Sequence, residues 1–118
     1  MDFNYKKEFP DVIKRKELCK QLLNKEPNKV PVVLEKDPRC KIKQIKTKHL
    51  IMKKCTVNAF QLMIKNKLKM QDKEALFLSA KGKYNIMGEQ TMGEIYSKYK
   101  DKEDGFLYII YSSELVYG

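Results

Sequence analysis

The run Gly105-Phe106-Leu107-Tyr108-Ile109-Ile110-Tyr111 constrains this chain most. Its β-branched and aromatic content reads as a strand over 105–111, the strongest in the sequence. A strand of this kind needs a sheet around it, and the rest of a 118-residue chain must supply that sheet. The length corresponds to one domain, too short for a large catalytic barrel or a doubly wound nucleotide-binding fold. With 42% hydrophobic residues the chain can bury a real core, which argues against global disorder.

The remaining elements follow from caps and periodicity. Residues 2–9 are short and mixed and end at Pro10. Asp11 stands where a helix N-cap would stand, and Val12, Leu18, Cys19, Leu22 and Leu23 recur at helical spacing, predicting a helix over 11–25. Residues 29–36 (KVPVVLEK) read as a strand, which Pro31 moves toward an edge or toward a position whose N–H is not needed. Residues 48–53 (KHLIMK) read as a second strand with lysines at both ends. Thr56 can cap a helix whose Val57, Phe60, Met63, Ile64 and Leu68 share one face. Residues 75–80 (ALFLSA) form a buried-strand candidate, with Gly82 available for the turn after it. Thr91-Met92-Gly93-Glu94 fits a capping box opening a short helix. A hairpin, a crossover helix on one sheet face and then further strands is the β-grasp arrangement, an α+β fold, here with helical structure added at the N-terminus.

Charge and cysteine usage narrow the function classes. Lys+Arg is 25 against Asp+Glu 15, a net charge of +10, which attracts nucleic acid, acidic lipid or acidic peptides. Arg15 and Arg39 are the only arginines, so a dedicated base-reading surface is poorly served. His49 is the only histidine, which excludes two-histidine metal motifs, and the three cysteines (Cys19, Cys40 and Cys55) lack metal-ligand spacing. An odd cysteine count without CxxC suits a reduced, cytoplasmic compartment. No apolar run is long enough to span a membrane, and residues 1–10 are too polar for a signal peptide. Membrane association is therefore expected through a modification or a partner.

Colinear matches run nearly end to end. They include Tyr5-Lys6, Pro10, Lys14-Arg15-Lys16, residues 30–36 (VPVVLEK), Leu50, Thr56-Val57, Phe60, Glu74-Ala75-Leu76-Phe77, Thr91-Met92-Gly93, Ile95-Tyr96, Gly105-Phe106-Leu107-Tyr108, Tyr111-Ser112 and Gly118. On these residues the chain resembles the GABARAP-like family of ubiquitin-like autophagy modifiers. The resemblance implies a ubiquitin-like β-grasp core (28–112), two helices in an N-terminal subdomain (1–27) and a conjugation tail (113–118). It implies conjugation through Gly118 to phosphatidylethanolamine, with the modifier carried as a thioester by an ATP-dependent activating enzyme and a conjugating enzyme. A cysteine protease would remove it. Such a modifier has no catalytic residues, cofactor or metal of its own.

Glycine suits this terminal role because a residue without Cβ threads narrow active sites. Family precursors often continue beyond this glycine. The resemblance also implies docking of acidic aromatic-x-x-aliphatic motifs, carried by cargo receptors and adaptors, on the 48–52 strand, where an extended peptide adds to a sheet edge. An aromatic pocket would be lined by Leu18, Leu22, Pro31, Val33, Lys48, Leu50 and Phe106. An aliphatic pocket would use His49, Ile51, Met52, Cys55, Phe60, Met63 and Lys67, and Lys46, Lys48 and Lys53 would meet the acidic flanks. Leu22, Val33, Phe60 and Met63 also read as ordinary core. The family usually has an acidic residue, tyrosine and leucine where Leu18, His49 and Cys55 stand, which bears on partner selectivity.

Three alternatives compete with the autophagosomal modifier. The same modifier could serve a plastid-type membrane, since a lysine-rich, arginine-poor composition fits an A/T-rich genome. A small basic nucleic-acid-binding domain has the charge in its favour, but lacks arginine and Gly-flanked aromatic RNA-binding signatures. Cys–His catalysis would need His49 beside a cysteine, with an orienting acid that the sequence does not signal.

Overall fold

A computed structural model describes residues 2–113. Two helices lead, α1 (Asn4–Glu8) and α2 (Val12–Lys25), followed by strands β1 (Lys29–Lys36) and β2 (Lys48–Met52) and helix α3 (Val57–Lys67). Strands β3 (Phe77–Ala80) and β4 (Tyr84–Ile86), helix α4 (Met92–Tyr99) and strand β5 (Leu107–Ser112) complete the chain. The five strands lie in the order β2-β1-β5-β3-β4. β1 and β5 run parallel at the centre, and the other neighbours are antiparallel. The fold is ubiquitin-like, a β-grasp with two added N-terminal helices.

The apolar run at the end of the sequence is explained by this topology. β5 is buried along its whole length because both faces of the sheet are covered. Leu107, Ile109 and Tyr111 join Val30, Val32 and Leu34 of β1 in a core with Phe60 and Ile64 of α3. Phe106, Tyr108 and Ile110 join Val33 in a second core with Phe3, Tyr5 and Cys19 of the N-terminal segment. The alternation of side chains along a strand assigns each residue to one of these cores.

Local caps start three helices. The Asp11 side chain accepts from the Ile13 and Lys14 amides at 3.0 and 3.2 Å. Thr56 accepts from the Ala59 amide at 3.1 Å. Thr91 and Glu94 complete a capping box, with contacts of 3.2 and 3.3 Å. By contrast, α1 has no local side-chain cap. Its Asn4 and Tyr5 amides donate to the two oxygens of Glu35 on β1, each at 2.9 Å. A cap thirty residues distant leaves no local signal, which is why residues 2–9 read as merely mixed.

One expectation resolves to its second alternative, and one is revised. Pro31 does not place β1 at an edge, since β1 pairs with β2 on one side and β5 on the other. The register with β5 begins at Val32, so the missing N–H of Pro31 costs no bond there. The segment after Gly82 contains a fifth strand, β4, absent from the sequence-based order. It is three residues long and follows a turn in which Lys81 and Gly82 both take positive φ (59° and 71°).

α2 is bolted to the sheet by buried charge. Arg15 Nε donates to Asp104 Oδ2 at 2.9 Å, with the two side chains 5% and 0% exposed. Asp104 also accepts from the Tyr108 hydroxyl at 2.5 Å and the Phe106 amide at 2.9 Å. Gly105, at φ +85°, passes so close to α2 that a Cβ there would lie 3.0 Å from Cys19 Sγ.

Candidate peptide-docking edge

β2 ends the sheet on one side, and no described strand lies beyond it. The direction of its free groups follows from the ladder. The Leu34 amide donates to Thr47 O at 2.7 Å, and the Lys53 amide donates to Asn28 O at 2.9 Å. Hydrogen-bonded and non-bonded pairs alternate between these points. Lys48 and Leu50, opposite Val33 and Pro31, therefore turn their backbone N–H and C=O away from β1. Those groups can accept an added extended strand.

The side chains of β2 divide between the two faces of the sheet. Lys48 and Leu50 share the α2 face with Val33 and Pro31. A cavity of about 440 Å³ opens there, lined by Leu18, Leu22, Lys48, Leu50 and Phe106 together with Val32, Lys46 and His49. Five of the residues expected for an aromatic pocket are thus brought together. Pro31 and Val33 are buried on that sheet face, Val33 completely. Leu22 is half-buried and remains accessible.

Ile51 lies on the α3 face, in the core cluster with Phe60, and Cys55 and Met63 are half-buried against that cluster. Phe60 is fully buried, so it supports this face from below. His49, opposite Val32, shares the face by register. Burial first, then the charges of Lys67 and Lys46, pull the His49 imidazole below its ordinary titration range. Its Nε2–H donates to Lys46 O at 2.7 Å, which fixes the ring over the start of β2. Met52 falls at a register position on the Leu50 face, away from the other expected aliphatic-pocket residues, and is 49% exposed. Lys46, Lys48 and Lys53 are all exposed.

A second cavity of about 400 Å³ shares Leu18 and Lys48 with the first and continues between α1 and α2. It is lined by Phe9, Pro10, Glu8, Asp11, Lys14 and Arg15 among others, residues that sequence reasoning did not assign to the site. Phe9 directly before the helix-breaking Pro10 was the available sequence signal, and the structure leaves Phe9 half-exposed.

The cysteines do not assemble with His49. The Cys55 thiol donates to the Thr56 carbonyl at 3.4 Å and is pushed up by burial. Burial, with Asp104 nearby, pushes Cys19 up to about 11. Cys40 lies 3.0 Å from the Ser113 hydroxyl. Burial opposes its ionisation, yet hydrogen bonds from Ser113 and its neighbours bring the thiol down to about 7. Gly118 lies outside the described residues. Among the described residues no helix is long and apolar enough to cross a membrane.

Comparison with known proteins agrees with this architecture. The structure is similar to the crystal structure of Trypanosoma brucei ATG8, with a TM-score of 0.88 and 28% sequence identity over 100% of both chains. A family model described as "Autophagy protein Atg8 ubiquitin like" matches residues 14–118. The chain belongs to the Atg8 family of ubiquitin-like autophagy proteins.

Proposed function

We propose that this protein is a modifier joined through Gly118 to phosphatidylethanolamine, and that it recruits partners bearing acidic aromatic-x-x-aliphatic motifs to autophagosomal membranes. It acts as no enzyme itself. An ATP-dependent activating enzyme and a conjugating enzyme carry Gly118 as a thioester. The lipid amine then attacks the thioester carbonyl, forming an amide and releasing the enzyme thiol, and a cysteine protease reverses the attachment. Before conjugation the protein is cytoplasmic, and afterwards it is held at the membrane by the lipid.

The observation that carries the docking half is the open β2 edge with a lined cavity beside it. Lys48 and Leu50 offer outward backbone groups, the roughly 440 Å³ cavity matches an aromatic side chain in character, and exposed lysines flank it. Backbone pairing supplies affinity, the cavities supply specificity, and Lys46, Lys48 and Lys53 complement acidic flanks.

The conjugation half is tested by reconstituting lipidation with the activating and conjugating enzymes on phosphatidylethanolamine vesicles. The native chain should shift to the lipidated form and Gly118→Ala should not. Equal lipidation of Gly118→Ala would overturn the assignment.

A further inference from the structure

The net charge of +10 is not spread over the molecule. Residues 38–71 hold ten basic residues and no Asp or Glu, and the rest of the chain carries fifteen of each sign. The whole surplus therefore falls on the β1–β2 loop, β2 and α3.

The fold places much of it at one end. β1 and β5 run toward that end, and the antiparallel β2 and β3 start from it. The loop between β1 and β2 is stitched to the last residues of β5. The Tyr111 hydroxyl donates to Lys43 O at 2.7 Å and accepts from the Ile45 amide at 2.8 Å. The Asp37 amide donates to Tyr111 O at 2.8 Å, and Cys40 meets Ser113 at 3.0 Å. α3 finishes at the same end, where Gln61 donates to Leu76 O just before β3 and Lys65 Nζ donates to Asp72 O at 3.1 Å.

Lys41, Lys43 and Lys46 in the loop, Lys67 at the end of α3 and Lys69 just after it are exposed, and none is in an ion pair among the described residues. The loop's flanking acid, Asp37, is buried and held by Arg39 at 2.9 Å. Asp72 and Glu74 stand on the β3 side, leaving the β2 side basic.

We propose that this end is a membrane-facing surface, in which Lys41, Lys43, Lys46, Lys67 and Lys69 contact anionic lipid headgroups while the tail holds the protein at the bilayer. The inference rests on the lipidation reading. Gly118 follows Ser113 by five residues, which span at most about 17 Å when fully extended. A headgroup attached there leaves the basic end free to reach the surface, and the lysines act by close contact, since charges more than one Debye length away, about 8 Å at physiological salt, are largely screened. Each lysine near an anionic surface strengthens association by about fivefold. A tether supplies the local concentration that such weak contacts need. The consequence is a preferred orientation, with α2 and α4 turned away from the bilayer.

The test uses the full chain with a C-terminal oligohistidine tag, held on chelating-lipid vesicles of phosphatidylcholine alone or with phosphatidylserine. Amide exchange of residues 39–46 and 65–71 should slow several-fold on the anionic vesicles relative to the neutral ones. The slowing should vanish in Lys41→Glu/Lys43→Glu, persist in Lys16→Glu/Lys20→Glu on α2, and fade at high salt. Thermal melting of each variant in solution checks folding, and Lys67→Glu/Lys69→Glu provides a second disruption of the surface. Equal exchange on both vesicle types, or slowing centred on α2, would overturn the proposal. The chelating tether bypasses the conjugation enzymes, so failure here leaves the Gly118 chemistry standing. Failure of Gly118 lipidation in the reconstituted reaction is read separately.

Discussion

The sheet has two edges, β2 and β4, and they differ in length and in what stands beside them. β2 runs for five residues, turns the backbone of Lys48 and Leu50 outward and stands beside a cavity walled by α2. β4 runs for three residues, and its Tyr84 ring stacks on Tyr99 of α4 at 4.9 Å. Short edges limit unwanted strand pairing. A long edge without cover is a liability unless its flanks select what binds. At β2 the proposed docking assigns that selection to the cavity on one face and the exposed lysines around it. The difference between the edges lies in these supports more than in the strands themselves.

The largest expected effects come from removing the supports. Phe60→Ala empties a fully buried site beneath the α3 face of β2 and should cost about 3–5 kcal/mol in denaturant melts. Peptide affinity should then fall in proportion to the unfolded fraction, because Phe60 backs the surface without being exposed on it. Arg15→Ala should cost a similar amount, about 3–5 kcal/mol, since Asp104 would keep a buried charge without its partner. It should also loosen α2, the wall that gives β2 its cavity, so Leu18 and Leu22 amides should exchange faster.

Substitutions on the edges themselves should sharpen the contrast. Lys48→Ala/Leu50→Ala should weaken an acidic Trp-x-x-Leu peptide by about 1–3 kcal/mol in calorimetry, the range of interface hot spots. Tyr84→Ala/Asn85→Ala on β4 should leave that affinity unchanged. Equal losses at both edges would remove the distinction drawn between them.

The smallest effect is a pH response. Burial and neighbouring lysines lower the His49 titration from its usual 6.5, so the unfolded chain binds more protons in that region. Stability must then rise with pH there, and fall as pH drops below 6.5 until the folded-state histidine also titrates. His49→Gln should lack this component when melting temperatures are compared across that window.

Much of this architecture was legible because its determinants are local. The Asp11, Thr56 and Thr91–Glu94 caps each act within three residues, so α2, α3 and α4 announce themselves in sequence. β5 is readable from apolar content, since both its faces are covered. What escaped depends on distant partners. Glu35 caps α1 across the fold, β4 is defined by pairing with β3, and β1 becomes internal through the parallel register with β5. The side of β2 on which Met52 falls depends on register with Lys29, which spacing along the chain does not fix. The concentration of charge in residues 38–71 is a sequence property found by counting segment by segment. Its position around the end of β5 is a property of the fold.

The central claim is that β2, and not β4, pairs with an incoming peptide. Amide exchange measured residue by residue with and without an acidic Trp-x-x-Leu peptide tests it directly. The outward amides of Lys48 and Leu50 should become protected while Asn85 in β4 is unchanged. Protection at Asn85, or none at Lys48 and Leu50 under saturating peptide, would contradict the account.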